Sequence, residues 1–208
     1  MTPLDATVFI VDDDPLIRDA LKSLIKSVGL KVHTFSSARE FLDHDLPYEP
    51  CCLVLDIRMP LLSGLGLQDE MAKRDLTIPV IFITGHGTVP LSVRAMKAGA
   101  MDFIQKPFED QDLLDAIHLG IEQDRQTKRV QAETRKIKQR LKSLTLREHE
   151  VFTLVVAGRL NKQIAFDLEM SEHTVKTHRA RVMKKMQAES LADLVRLSEK
   201  ADMLTQKG

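Results

Sequence analysis

Cys51-Cys-Leu-Val-Leu55 is an unbroken apolar run that ends against Asp56. It is too short for an ordinary helix and has no alternating polar face. A strand buried on both sides reads this way, and such strands belong to parallel sheets covered by helices. Working outward, Thr7-Val-Phe-Ile-Val11 and Pro79-Val-Ile-Phe-Ile83 repeat the pattern, and Lys31-Val-His-Thr-Phe35 and Met101-Asp-Phe-Ile104 are shorter or more polar versions of it. Between them, Pro15 to Val28, Ser37 to Leu42, Leu65 to Arg74 and Pro90 to Ala98 carry apolar residues at helical spacing. Strand alternating with helix predicts a doubly wound α/β domain with a five-stranded parallel sheet.

In such sheets, groups placed just past the strands gather at one edge. Here those groups are Asp12-Asp13-Asp14 after the first strand, Asp56 after the third, Thr84 after the fourth and Lys106-Pro107 after the fifth. Two carboxylates about 4 Å apart repel by roughly 4 kcal/mol at an effective dielectric of about 20. A divalent cation offsets that crowding, and an all-oxygen donor set completed by water suits Mg²⁺. Asp56 is then the candidate carboxylate nucleophile towards a phosphoryl group. Lys106 supplies a point charge for the phosphoryl oxygens, and Thr84 a hydroxyl.

Val11-Asp-Asp-Asp14, Leu55-Asp-Ile-Arg-Met-Pro60, Ile83-Thr84, Met96-Lys-Ala-Gly-Ala-Met-Asp-Phe103 and Lys106-Pro-Phe108 together resemble a response-regulator receiver domain over residues 1–121. The resemblance implies a flavodoxin-like fold in which Asp56 takes phosphate from a histidine kinase. It also implies that Asp12, Asp13 and Asp56 hold Mg²⁺ with the backbone carbonyl of Arg58. Thr84 then turns towards the phosphoryl group and Phe103 changes rotamer. Arg58 and His86, two positions beyond Asp56 and Thr84, should border the path of a hydrolytic water and tune dephosphorylation. The alternative for His86 is a plain surface residue.

The fifth helix starts near Gln111 and meets no proline before the chain ends. As one helix to Leu141 it would span on the order of 46 Å at 1.5 Å per residue. The alternative is a flexible charged tether from Gln123 to Arg140. Residues 122–142 are therefore read as a linker, and residues 143–208 as an all-α second domain of four helices. Thr145-Leu-Arg-Glu148 is a capping box, Gly158 a C-cap, and Asn161, Ser171 and Ser190 are candidate N-caps. Lys162 to Leu168 and Glu172 to Met186, around a tight turn, read as a helix-turn-helix.

The second of those helices is basic on one side, with Lys176, Arg179, Arg181, Lys184 and Lys185, and apolar on the other, with Val175, Val182 and Met186. In an isolated helix this would be a solvated face; as the second member of a tight pair it suits a recognition helix. Leu144-Thr-Leu-Arg-Glu-His-Glu-Val151, Asn161-Lys-Gln-Ile-Ala165 and Thr174-Val-Lys-Thr-His178 resemble the LuxR-type helix-turn-helix. Joined to the receiver, the whole resembles the NarL/FixJ class, and Ile83-Thr-Gly-His-Gly87 favours its FixJ branch. By that likeness Lys176, Thr177 and Ala180 approach base edges, while Asn161, Lys162, Ser171, Thr174, Arg179 and Lys184 serve the DNA contact around them. A transcription factor follows, activated by phosphorylation, working as a dimer on promoter DNA with RNA polymerase as partner.

Composition agrees with two chemically distinct ends. Residues 1–121 hold 11 basic against 18 acidic side chains, residues 122–142 hold 8 against 3, and residues 143–208 hold 11 against 9. No apolar run approaches the roughly 18 residues of a membrane span, and a cytoplasmic protein without a membrane partner is expected. The vicinal Cys51 and Cys52 are expected to be buried thiols. Two other function classes compete, a stand-alone phosphatase using the Asp cluster and an RNA-binding or anti-sigma scaffold, and within the regulator reading the alternative is a phosphorylation-independent DNA- or RNA-binding regulator. Phosphatases resembling haloacid dehalogenases place the nucleophile after the first strand, whereas Asp56 follows the third.

Overall fold

A computed structural model describes residues 5–85 and 88–202. The chain divides into two compact units, residues 1–128 and 129–208.

In the first unit, β1 (Thr7–Val11), β2 (Lys31–Phe35), β3 (Cys51–Asp56), β4 (Val80–Thr84) and β5 (Asp102–Gln105) form one sheet in the order β2-β1-β3-β4-β5. Every pairing is parallel. The three central strands are the three apolar runs, and every residue in them is buried. The edge strands β2 and β5 are the more polar ones. Alternation along each strand divides the core in two. Phe9, Leu53, Leu55 and Phe82 face α2 (Ala38–Leu42) and α3 (Gly64–Lys73), with Ala95 of α4 (Val89–Lys97) in the same cluster. Ile10, Val54, Ile81 and Ile83 face α1 (Pro15–Ser27) and the start of α5 (Asp110–Lys142).

Local chemistry sets the helix starts. Asp14 caps α1 by accepting from the Leu16 N–H, and Pro15 follows as its first residue, where a missing N–H costs nothing. Ser37 and Ser63 cap α2 and α3 in the same manner. α5 is one helix of 33 residues, so the stretch from Gln123 to Arg140 is helical and not a loose tether. Its surface carries Glu122 with Arg125 and Arg129 with Glu133 at helical spacing, pairs that favour a solvated helix modestly. Leu113, Ala116, Ile117 and Ile121 bury its first part on the sheet.

The second unit contains the end of α5, then α6 (Leu146–Val156), α7 (Asn161–Asp167), α8 (Glu172–Met186) and α9 (Leu191–Asp202). Its core joins Ile137, Val151, Phe152, Ile164, Val175, Val182, Met186 and Leu194. The capping box of α6 is formed as expected: Thr145 and Glu148 accept from each other's backbone N–H. Gly158 follows α6 at a φ of +79°, a conformation that favours glycine. Ser171 and Ser190 accept from the N–H groups of Thr174 and Asp193.

Asn161 departs from expectation, because it is the first residue of α7 and not its cap. Leu160 takes the cap position, its N–H donating to Gln163 Oε1 at 2.9 Å. The Asn161 side chain instead accepts from Arg179 Nη1 at 3.0 Å, so its oxygen ties α7 to α8.

Candidate functional site

The register aligns Val11 with Leu55 and Asp56 with Ile83, which brings the ends of β1, β3 and β4 to one edge. Asp12 is 1% exposed and Asp56 7%, while Asp13 is exposed. Between the two buried carboxylates lies the Lys106 ammonium, 3.1 Å from Asp12 Oδ2 and 3.2 Å from Asp56 Oδ1. The other Asp56 oxygen accepts from the Arg58 N–H at 2.7 Å. Asp12 Oδ1 accepts from the Asp14 N–H at 2.9 Å. Arg18, which sequence reasoning passed over, donates to the Asp12 carbonyl at 2.7 Å and steadies the loop from α1.

Burial pushes the Asp56 carboxyl above the usual carboxylate range, and the Asp12 charge adds to the shift. Lys106 and the Arg58 N–H oppose it without cancelling it. Two buried carboxylates share the one Lys106 ammonium, so their shared charge is net negative. The hard carboxylate oxygens of Asp12 and Asp56 are of the kind that Mg²⁺ takes, using one or two carboxylates and keeping several waters. Among the described residues no group of three or more His, Cys, Asp or Glu side chains is arranged to hold a metal ion.

Thr84 is 1% exposed at the end of β4, and its carbonyl accepts from the Lys106 N–H at 2.8 Å. Phe103, half-buried, packs against the core cluster on the α2 and α3 face. The Arg58 side chain is exposed. His86 lies outside the described residues.

Gly64 is a site residue the sequence did not reveal. Its N–H donates to the Ile57 carbonyl at 3.0 Å, and a Cβ there would sit 2.3 Å from the Asp56 carbonyl oxygen. Only glycine lets α3 begin this close to the end of β3. The sequence signal for it is a glycine at the helix start, directly after Ser63.

On α8, Val175, Val182 and Met186 are fully buried, and Lys176, Thr177, Ala180, Arg181 and Lys184 are exposed. Lys162 is exposed on α7. The Ser171 and Thr174 hydroxyls bond each other at 2.8 Å, and Arg179 is held by Asn161. Lys185, counted by the sequence among the basic face, turns inward to Glu148 Oε2 at 2.6 Å and to the Ser143 carbonyl at 2.9 Å. One positive charge of α8 therefore serves the fold. A guanidinium has five donors, so Arg179 retains donors beyond the one bonded to Asn161.

Comparison with known proteins covers both units. Residues 8–118 match the response regulator receiver domain, and residues 142–198 match the bacterial regulatory proteins of the luxR family. Nodulation protein W of Bradyrhizobium diazoefficiens is 51% identical over 194 residues, covering 93% of this chain and 86% of that one. Transcriptional regulatory protein FixJ of Azorhizobium caulinodans is 41% identical over 196 residues, covering 94% and 93%. Among solved structures, response regulator StyR aligns with a TM-score of 0.87 at 46% identity, covering 94% of this chain and 99% of that one. Full-length FixJ from B. japonicum aligns at 0.56 and 41% identity, covering 95% and 97%. The acidic edge with its bridging lysine and the basic exposed helix thus fall in the two matched regions, and the chain belongs to the response regulator transcription factors of the FixJ/LuxR class.

Proposed function

We propose that Asp56 accepts a phosphoryl group from a histidine kinase and that this modification promotes dimerisation and promoter binding through α8. The observation that carries the reading is Lys106 Nζ held between Asp12 and Asp56 at 3.1 and 3.2 Å. It places a cation beside the nucleophile, where phosphoryl oxygens would need one. Asp12, Asp13, Asp56 and the Arg58 carbonyl would hold Mg²⁺, which supplies charge neutralisation for phosphoryl transfer. Asp56 provides the attacking oxygen, Lys106 pairs the transferred oxygens, and Thr84 donates its hydroxyl to one of them. A phosphoryl group adds about −1.5 to −2 charges at neutral pH. Thr84 and Phe103 relay its presence to the surface formed by α4, β5 and the start of α5, where a second receiver pairs.

In this reading residues 1–121 accept phosphate, residues 122–142 link, and residues 143–208 read DNA. Lys176, Thr177 and Ala180 face base edges. Lys162, Arg179, Lys184, Asn161, Ser171 and Thr174 address or support phosphate contacts. Two half-sites about ten base pairs apart, or a multiple of that spacing, are bound by the dimer, which then activates transcription with RNA polymerase. Acting on promoter DNA, the protein works in the cytoplasm in this reading. Separately, among the described residues no helix is long and apolar enough to cross a membrane.

Selection of bound sites from random duplex DNA, with and without acetyl phosphate and Mg²⁺, tests the proposal. A phosphate-dependent palindromic site is expected, lost in the Asp56→Asn protein. An Asp56→Asn protein that binds as tightly as the phosphorylated one overturns phospho-control. Arg58 and His86 tune the lifetime of the phosphoryl group; unchanged autodephosphorylation in both Arg58→Ala and His86→Ala proteins rejects that part.

A further inference from the structure

At the turn of the helix-turn-helix, an open groove of about 810 Å³ is lined by Ala165, Phe166, Asp167, Glu169, Met170 and Ser171. Phe166 is 85% exposed, and among the described residues it takes no part in the core that Ile164, Leu168 and Met170 join. Backbone bonds fix the shape of this turn. The Met170 N–H donates to the Ala165 carbonyl at 2.9 Å and the Glu169 N–H to the Phe166 carbonyl at 3.3 Å, with Glu169 at a φ of +52°. This is the bonding pattern of a Schellman motif, which ends α7 and redirects the chain. The groove is therefore a formed feature of the fold. Asp167 and Glu169 in its lining, and Glu172 beside Ser171, are exposed, and none of the three forms an ion pair among the described residues.

An exposed aromatic side chain beside a methionine has the composition of the centre of a protein interface. A rim of unpaired carboxylates selects the charge of the partner. Those carboxylates repel the phosphate backbone, so the groove itself is a poor surface for DNA. Yet it borders the DNA contact. Ser171 lines the groove and also caps α8. Lys162, assigned above to a DNA phosphate, stands four residues before Phe166 and so on the same side of α7. An occupant of the groove therefore sits next to the duplex. Proteins that sit there neutralise phosphates with Lys and Arg, and a basic protein surface is what three free carboxylates attract. We infer that the groove around Phe166 is the surface through which this protein engages RNA polymerase. It takes a basic, DNA-bound segment of that enzyme, with the Phe166 ring as apolar anchor and Asp167, Glu169 and Glu172 pairing its lysines and arginines. The inference rests on the DNA contact of α8 proposed above and names the surface that turns binding into activation.

The test uses the phosphorylated full chain, a template carrying the selected site upstream of a core promoter, and bacterial RNA polymerase holoenzyme. Phe166→Ala is expected to bind the site within about twofold of wild type, yet to lower activated transcription by about tenfold or more. The double variant Asp167→Asn, Glu169→Gln should bind DNA at least as well as wild type and lose activation several-fold. With p-benzoylphenylalanine in place of Phe166, ultraviolet cross-linking on the promoter should join the chain to a polymerase subunit. A loss of DNA affinity that parallels the loss of transcription places Phe166 in the DNA contact and overturns the inference. Wild-type activation by Phe166→Ala, or a cross-link only to a second copy of this chain, overturns it as well and leaves the proposed function standing. A wild-type protein that binds its site without stimulating transcription overturns both this inference and the activator part of that reading.

Discussion

Lys106 Nζ lies 3.2 Å from Asp56 Oδ1, although fifty positions separate the two residues and β4 runs between their strands. The contact moderates the buried charge of Asp56 but does not neutralise the pocket, because burial and Asp12 hold the Asp56 carboxyl above its usual range. A folded-state pKa raised in this way means that ionised Asp56 opposes folding. Stability is then fullest below the unfolded pKa and falls as pH rises through the folded one. Asp56→Asn is expected to raise the melting temperature of the Mg²⁺-free protein at neutral pH by roughly 2–5 °C. The gain should shrink as pH falls into the carboxylate range. Thermal unfolding in the presence of a chelator measures it, and a lower melting temperature at neutral pH would contradict the assignment.

Gly64→Ala forces a Cβ to within 2.3 Å of the Asp56 carbonyl, and backbone on both sides must shift. Overpacking of this kind costs about 2 kcal/mol. Denaturant unfolding should show that loss, and acetyl phosphate labelling of Asp56 should slow because the nucleophile's own backbone moves. Wild-type values for both would show that α3 tolerates the displacement.

Lys128 reaches Asp124, the Glu49 carbonyl at 2.7 Å and the Cys51 thiol at 3.5 Å. Burial pushes that thiol up to about 11, so Cys51 is an inert neighbour. Lys128→Met leaves the Asp124 carboxylate buried and uncompensated, a loss of about 3 kcal/mol. Adding Asp124→Asn should recover part of it. A double-mutant cycle by urea unfolding gives the coupling; no coupling would place Asp124 in contact with solvent.

Glu148, paired with Lys185 and bonded to the Thr145 N–H, has its carboxyl lowered to about 2. A depressed acid contributes stability that is present above its unfolded pKa and is lost as pH falls through the folded one. The second unit should therefore weaken from about pH 4.5 towards pH 2. In Glu148→Gln the weakening over that window should be smaller, and the stability gap between the two proteins should close at its lower end. Chemical unfolding across the window, followed by far-ultraviolet circular dichroism, reports it.

Lys176→Ala and Lys162→Ala should differ in kind. Loss of a base-facing side chain costs about 1–3 kcal/mol and relaxes preference at one position. Loss of a phosphate contact weakens all duplexes alike and lowers the salt slope by about 1. Fluorescence anisotropy on selected and scrambled duplexes at several salt concentrations separates them. Identical behaviour of the two variants would overturn the division of roles between α8 and α7.

The strand runs were legible because they are buried on both faces and carry almost no polar residue. Where boundaries shifted, the cause is local: Pro79 lacks an N–H, and β4 begins at Val80. The pocket was legible from its order along the chain, since each of its groups ends a strand or follows one. Other features hid behind ordinary surface patterns. Asp124 with Lys128 looks like an exposed helical pair, but Asp124 is 1% exposed. Lys185 has the spacing of a DNA-facing residue, but a carboxylate on α6 claims it. Asn161 has the chemistry of a cap, but Arg179 on α8 offers a charge-assisted bond.

Hydrophobic period, turn chemistry and the order of Asp12, Asp56, Thr84 and Lys106 are written in the sequence, and they determined the parallel sheet, the acidic edge and the helix-turn-helix. Tertiary structure alone decided which charges are spent inside the protein and which face outward. The physical reason is that period and spacing report which face of one element is buried, whereas pairing and satisfaction depend on atoms brought close from elements far apart in the chain.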